Sequence, residues 1–326
     1  ILYNGTPVQY SSCSSLSMIN DNHENIFFLG SGRIFKITTF CPASPTVTLG
    51  NDINQCNGST TLHASSSNIA YYYWSSISAN GPDSNIVNTN SNHIVTVTDN
   101  YGCSASDTIN VQIQQCVWPG DVDNDQNVNS LDLLPIGVYY NISGGVIRPN
   151  ASNNWVGQPS LNWSQIQQNG SDMKYADCNG DGQINFSDTT AIHLNSGLTH
   201  AAKLLAPNYV TTNPTGYFTF NKTIYNPGDT VKATFNLGSA TNSLSNFYGA
   251  SFNITYDVSN IKPNSESFSF LNSSWIGTVN NNSIVYSKIN AGFIDASIVR
   301  INHINKNGYG SIAQFNFILN NTLTQT

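Results

Sequence analysis

A twelve-residue pattern occurs twice in this chain, and it constrains the fold more than any other feature. The first copy runs Asp121-Val122-Asp123-Asn124-Asp125-Gln126-Asn127-Val128-Asn129-Ser130-Leu131-Asp132. The second runs Asp177-Cys178-Asn179-Gly180-Asp181-Gly182-Gln183-Ile184-Asn185-Phe186-Ser187-Asp188. Both place Asp or Asn at positions 1, 3 and 5, an apolar residue at 8, Asn at 9 and Asp at 12. Carboxylates this close in sequence repel one another unless a cation neutralises them. A hard cation takes about six to eight oxygens, and alternate side chains on a tight loop can point inward to supply them. Position 7 adds a backbone carbonyl, and position 12 closes the shell from the start of a helix. An Asp/Asn-rich turn explains one copy equally well. Two copies, each followed by a helical apolar pattern, predict two Ca2+ sites. The predicted ligands are Asp121, Asp123, Asp125, Asn127 and Asp132 in the first, and Asp177, Asn179, Asp181, Gln183 and Asp188 in the second. Gln126 stands where a Gly usually makes the sharp turn, whereas the second copy keeps Gly182.

Composition narrows the class. Charged residues make up 9% of 326, with only 11 Lys+Arg and a net charge of −7, which excludes a basic nucleic-acid-binding face. No apolar run approaches the ~18–20 residues of a spanning helix, so no membrane span is expected. Aromatic and β-branched runs can build β cores, and low charge with abundant Asn, Ser and Thr suits a secreted, extracellular protein. The chain begins at Ile1 without Met, which reads as a processed form or a fragment of something longer. Six cysteines without a C-x-x-C pair read as three disulfides, with 15 possible pairings.

Four segments follow from the pattern along the chain. Residues 1–40 are a β segment with a hairpin signal: Ile26–Leu29, a Gly-containing turn, then Arg33–Ile37. Residues 41–116 give short strand-sized runs separated by turn residues, as in a β-sandwich. In His93–Asp99, Ile94 and Thr96 lie on one face, Val95 and Val97 on the other. The run Tyr71-Tyr72-Tyr73-Trp74 reads as a core Trp with flanking strand aromatics rather than a sugar platform. Residues 117–205 hold eight of the 18 acidic residues and turn partly helical, at Leu131, Leu133, Leu134 and Ile136 and again at Ala191, Ile192 and Leu194. Trp155 and Trp163 read as packing between the two loops. Residues 206–216 form a Pro-containing linker, and 217–326 return to β alternation. Val231, Ala233, Phe235 and Leu237 share one face of a strand, and Tyr248, Ala250, Phe252, Ile254 and Tyr256 repeat that pattern.

Three family resemblances sit on these segments. "LGNDINQCNGSTTL" and "VTVTDNYGCSASDTINV" resemble the immunoglobulin/PKD-like repeats of large bacterial surface proteins. "GDVDNDQNVNSLDLL" and "ADCNGDGQINFSDTTAI" have EF-hand-like loop spacing and resemble type I dockerin modules, although the two copies start 56 residues apart, farther than in a cellulosomal dockerin. "YNPGDTVKATFNL", "NFYGASFNITYD", "FLNSSWIG", "FIDASIVRINH" and "GYGSIAQFNFIL" resemble cohesin domains. These resemblances imply a mainly β chain. An Ig/PKD-like sandwich (41–116) and a cohesin-like jelly-roll sandwich (206–326) flank a small helical dockerin-like calcium module (117–205). The recurrence of "CVWPGD" with "ADCNGDG" implies a Cys116–Cys178 bond, and Cys56–Cys103 and Cys13–Cys41 then follow by sequence proximity.

Catalytic constellations are absent from the sequence. There is no G-x-S-x-G and no H-E-x-x-H, the six His are scattered, and the two Glu, Glu24 and Glu266, fall in different segments. A glycosidase needs two carboxylates facing one sugar, and most Asp are committed to the loops. The expectation is a non-enzymatic structural or adhesive surface protein, rigidified by calcium, that polymerises head-to-tail into a fibre. Its expected partners are other proteins, further copies of itself, a cell-surface scaffold and a polysaccharide. The rival is an accessory or anchoring region of a secreted carbohydrate-active enzyme that uses dockerin–cohesin recognition. The linker of about ten residues, at ~3.3 Å each, is expected to hinder the two modules of one chain from folding back onto each other's binding faces, so that any recognition between them runs between chains.

Overall fold

The computed structural model describes residues 44–67, 69–100, 102–200 and 215–321. Ahead of them it gives the backbone of five short strands between Leu2 and Thr38. Three of these form an antiparallel sheet: β1 (Ser17–Asn20), β2 (Asn25–Gly30) and β3 (Arg33–Thr38). β2 and β3 are the hairpin read from the sequence, with Gly30 opposite Arg33. The chain divides into two compact units. One comprises Ile1–Asn54 and Gly58–Ile113, the other Gln55–Asn57 and Gln114–Thr326.

In the first unit the longer strands after β3 are β4 (Ile53–Cys56), β5 (Thr60–His63), β6 (Ile69–Trp74), β7 (Ala79–Gly81), β8 (Ser84–Val87), β9 (Ser91–Asp99) and β10 (Ser104–Gln114). Their order is β7-β6-β9-β10-β4 in one sheet and β8-β5 in a second. Alternation decides the core. Val95 and Val97 are fully buried, Ile94 points out, and Leu62 and Val87 of the small sheet close over them with Ile109 and Val111. Trp74 is the largest buried side chain, and its indole N–H donates to Pro82 O at 2.9 Å. Tyr71 and Tyr73 face solvent.

The second unit contains helices α1 (Leu133–Val138) and α2 (Thr189–Asn195). The strands of its two main sheets are β11 (Gly216–Phe220), β12 (Thr230–Leu237), β13 (Gly249–Thr255), β14 (Ser267–Phe270), β15 (Ser283–Asn290), β16 (Phe293–Arg300) and β17 (Gly310–Ile318). The sheets β11-β12-β17-β14 and β13-β16-β15 enclose one core, with Ala233, Phe235, Ile254, Ile294, Ala296, Ile298 and Phe315 inside.

β16 is buried along both faces. Ile294, Ala296 and Ile298 point into the sandwich, as a period of two requires. Asp295, Ser297 and Val299 point the other way, yet all are buried too. The cover is the two-helix segment. Val122, Val128, Leu133, Ile136, Trp163, Ile184, Ala191 and Ile192 form a second core that includes Ile284, Tyr286 and Val299 of the sheet. The module and the sandwich of one chain therefore pack together through this shared core. The reason is apolar area: the sheet's outer face offers Ile284, Tyr286 and Val299, which would otherwise lie against water. Tyr248 departs from its expected face for the same reason. It precedes β13, packs on the module core, and donates its hydroxyl to Gly137 O at 3.1 Å.

The expected disulfide pairing is corrected. Cys56 bonds Cys116, with Cα atoms 5.2 Å apart. Cys103 is bonded elsewhere, so Cys56–Cys103 is not formed, and Cys178 is a free, buried thiol, so Cys116–Cys178 is not formed. Strand geometry explains the choice. Cys103 and Cys116 flank opposite ends of the eleven-residue β10, and a strand of that length spans about 35 Å. Cys56 ends β4, the neighbour of β10, and Asn57 N donates to Gln114 O at 2.9 Å beside Cys116. The Cys13–Cys41 expectation and most of the expected linker lie outside the described residues.

Candidate calcium site

Each loop is built by its own acidic side chains before any cation is considered. Asp132 anchors the first. Its Oδ1 accepts from Val122 N at 2.6 Å and Asp123 N at 3.2 Å, and its Oδ2 from Asn129 N at 2.8 Å. Asp188 does the same in the second, accepting from Asn179 N at 3.1 Å and Asn185 N at 2.8 Å. Asn129 and Asn185 complete reciprocal capping boxes, so position 9 starts the short 3-10 turn that leads into each helix. Position 6 is left-handed in both loops, φ +84° at Gln126 and +82° at Gly182. Gln126 thus takes the backbone that the spacing demands, at a conformational cost that Gly182 avoids.

The loops are cross-braced rather than paired directly. Val128, at position 8, exchanges backbone hydrogen bonds with Gly197 and Leu198, just after α2. Ile184, at position 8 of the second loop, bonds with Asn141 and Ile142, just after α1. Each loop is therefore held by the segment that follows the other loop's helix.

Asp121, Asp123 and Asp132 bring carboxylate oxygens within 4.8 Å of one another, and all three residues are buried. Asp125 lies beside them: its N–H donates to Asp121 Oδ1 and Asp123 Oδ1 at 3.0 and 3.1 Å. The Asn127 side chain is exposed and turns back onto Asp125. In the second loop Asp177 and Asp188 are buried, while Asp181 and Gln183 are exposed. Asn179 Nδ2 donates to Asp181 Oδ2 at 3.1 Å. Burial pushes the Asp132 carboxyl well above the usual range, and the charges of Asp123 and Asp121 push it further. Burial also raises Asp121, and it lifts Asp177 to about 6 and Asp188 to about 7. Crowded, desolvated carboxylates of this kind suit a hard dication, which supplies the missing counter-charge.

Further contributors escape any reading of loop spacing. His200 Nε2 lies 2.7 Å from Asp121 Oδ2, and its ring stacks on Trp118 at 4.6 Å. Trp155 leans on the same pair. Arg148, from the segment between the repeats, is buried against the second loop. Ser130 joins the first loop to the sheet through Asp295. None carries a local signal, since each reaches its partner from tens of residues away.

Residues 119–194 match the Dockerin type I domain family. No curated protein matches the chain. Dockerin type I domains bind calcium and protein partners, and proteins that carry them are typically extracellular or cell-surface associated. Among the described residues, no helix is long and apolar enough to cross a membrane.

Proposed function

We propose that this chain is a non-enzymatic segment of an extracellular protein assembly, in which two bound Ca2+ ions make the dockerin domain a rigid joint. The carrying observation is the burial of β16 on both faces. The domain's first repeat lies on the chain's own sheet, so this module acts as an internal connector as well as a plug for others. The Ig/PKD-like and cohesin-like resemblances of the flanking β regions fit a stalk, fibre or adhesin of the cell surface, with a polysaccharide as a further ligand.

The ligand set proposed for calcium is the one read from the two loops, Asp121 to Asp132 and Asp177 to Asp188. Calcium there removes the repulsion among buried carboxylates, and a ligand that binds only the folded form stabilises it by about 2.7 kcal/mol at a hundredfold excess over Kd. Because the module and the sheet share a core, that gain extends to β15 and β16. The test is a pair of thermal melts, with calcium and with EGTA. A rise with calcium in the transition that contains both module and sheet supports the joint; identical curves refute it.

Assembly between copies then uses surfaces other than the covered sheet face. Light scattering of the chain, with calcium and with EGTA, tests the fibre: a monodisperse monomer at high concentration in both conditions leaves a stalk. The second reading, anchoring of a secreted carbohydrate-active enzyme, is favoured by the second repeat. Its Phe186 is 52% exposed and Leu194 65%, a face left open to a partner protein. A catalytic domain encoded ahead of Ile1 would support it.

A further inference from the structure

Arg148 lies 4% exposed behind the second loop. Its guanidinium forks onto two consecutive loop carbonyls, Nη1 donating to Asp177 O at 2.6 Å and Nη2 to Cys178 O at 2.7 Å, with a longer contact to Lys174 O at 3.4 Å. Its backbone N–H donates to Gly180 O at 3.0 Å. Its Nε is buried with no partner. The segment carrying it is pressed against the loop. A Cβ on Gly180 would sit 2.4 Å from Ala151 Cβ, and one on Gly182 would sit 2.9 Å from Gly145 O. Two of the loop's glycines are therefore required by close approach as well as by their positive φ.

The first loop is braced by neutral donors instead: Gln167 Nε2 donates to Val122 O at 2.8 Å, and Asn169 Nδ2 and Ser171 Oγ donate to Asp123 O at 2.7 and 3.1 Å. It carries four carboxylates, Asp121, Asp123, Asp125 and Asp132, where the second carries three, with Asn179 at position 3. The basic side chain placed against it is His200, which need carry no charge, whereas a guanidinium always does. The Arg148 charge opposes the upward push of burial on Asp177.

We propose that Arg148 is the positioning residue of the second loop: a built-in cation and double hydrogen-bond donor that holds this loop in its calcium-ready shape when no calcium is bound. The two loops are then unequal. The first, with four carboxylates and no guanidinium against them, tightens on its ion, and the second is already formed. This inference rests on the reading that both loops bind calcium, and deepens it by assigning the order in which the loops become structured.

Hydrogen exchange on the full chain, calcium-stripped in EGTA and then calcium-loaded, tests it. In EGTA the amides of Gly180 and Gly182 should exchange roughly tenfold or more slowly than those of Asp125 and Gln126. Arg148→Met should erase that difference in EGTA, and added calcium should restore protection. Equal exchange of both loops in the wild-type chain in EGTA would overturn the proposal, as would unchanged protection in R148M. If R148M does not fold, Arg148→Lys, which keeps the charge and loses the fork, should give partial loss, and full protection in it would count against the fork. Protection that calcium alters at neither loop would instead overturn the calcium reading, leaving the wild-type and R148M comparison in EGTA to decide the role of Arg148.

Discussion

Ser130 meets Asp295 across 165 residues of sequence with both of its donors, the backbone N–H at 2.9 Å and the hydroxyl. Asp295 is 8% exposed, so the loop that starts α1 supplies the hydrogen bonds that let a carboxylate be buried on the sheet. Ser130 also sits two residues before Asp132, the anchor of the first calcium loop. Loop order and docking onto the sheet are therefore set by one short turn.

Removing that contact should be costly. A hydrogen bond to a charged group contributes about 1.5–3 kcal/mol. Ser130→Ala is expected to lose about that much in urea denaturation, and Asp295→Asn a similar amount. The double variant should lose less than the sum of the two. Strict additivity in the cycle would mean that the pair is not coupled.

Gly137 offers a test whose sign separates two accounts. In an isolated helix, Ala is better than Gly by about 1 kcal/mol. Here a Cβ would lie 2.3 and 2.4 Å from the Val299 methyls and 2.8 Å from Arg300 O. Gly137→Ala should therefore destabilise, by about 1–3 kcal/mol for an overpacked contact. Val299→Ala added to it should recover part of the loss. A stabilised G137A would mean that α1 does not rest on β16.

Stability of the calcium-free chain should fall as pH rises. Asp177 and Asp188 have folded-state values of about 6 and about 7, above the ordinary 3.8. Between about pH 4 and 7 the folded form holds more protons than the unfolded one, so this contribution is present at low pH and lost as pH climbs through 6 and 7. Calcium replaces those protons, so its stabilisation should grow over the same window. Melts of stripped and loaded chain at pH 5 and pH 8 check both halves. A stripped chain that melts higher at pH 8 than at pH 5 would contradict this.

Peptide mapping without reduction should recover Cys56 joined to Cys116, and Cys178 as a thiol that alkylates only after denaturation. Burial pushes the Cys178 thiol well up, which slows its reaction further. A Cys116–Cys178 peptide would reverse the assignment.

The loops were legible because their information is local. Asp121, Asp123, Asp132 and their counterparts sit at fixed spacing, and Asp132 and Asp188 close each loop on backbone N–H groups of the same loop. The alternating faces of His93–Asp99 and Val231–Leu237 were legible for a similar reason, since a pleat forces period two. What the sequence hid was non-local. Asp295 reads as one polar residue on an outward face until a helix covers it. Arg148 lies in a stretch with no periodicity. Cysteine proximity misled because β10 carries Cys103 and Cys116 to opposite ends of one strand, and the neighbour of Cys116 is decided by sheet order. Tyr248 broke its alternation because its strand had not yet begun.

The Cys56–Cys116 bond spans 60 positions of sequence and so ties a loop that contains β5 to β10. Under tension on the chain, the load crosses that loop through the sulfurs, and the second bond, at Cys103 inside the loop, offers a parallel route. At about 3.4 Å per residue, roughly 200 Å of contour length is withheld from stretching. In single-molecule pulling, full reduction, which opens the Cys103 bond as well, should release that length as an added extension, whereas the oxidised chain should never yield it. A chain wired in this way meets tension with a fixed reach.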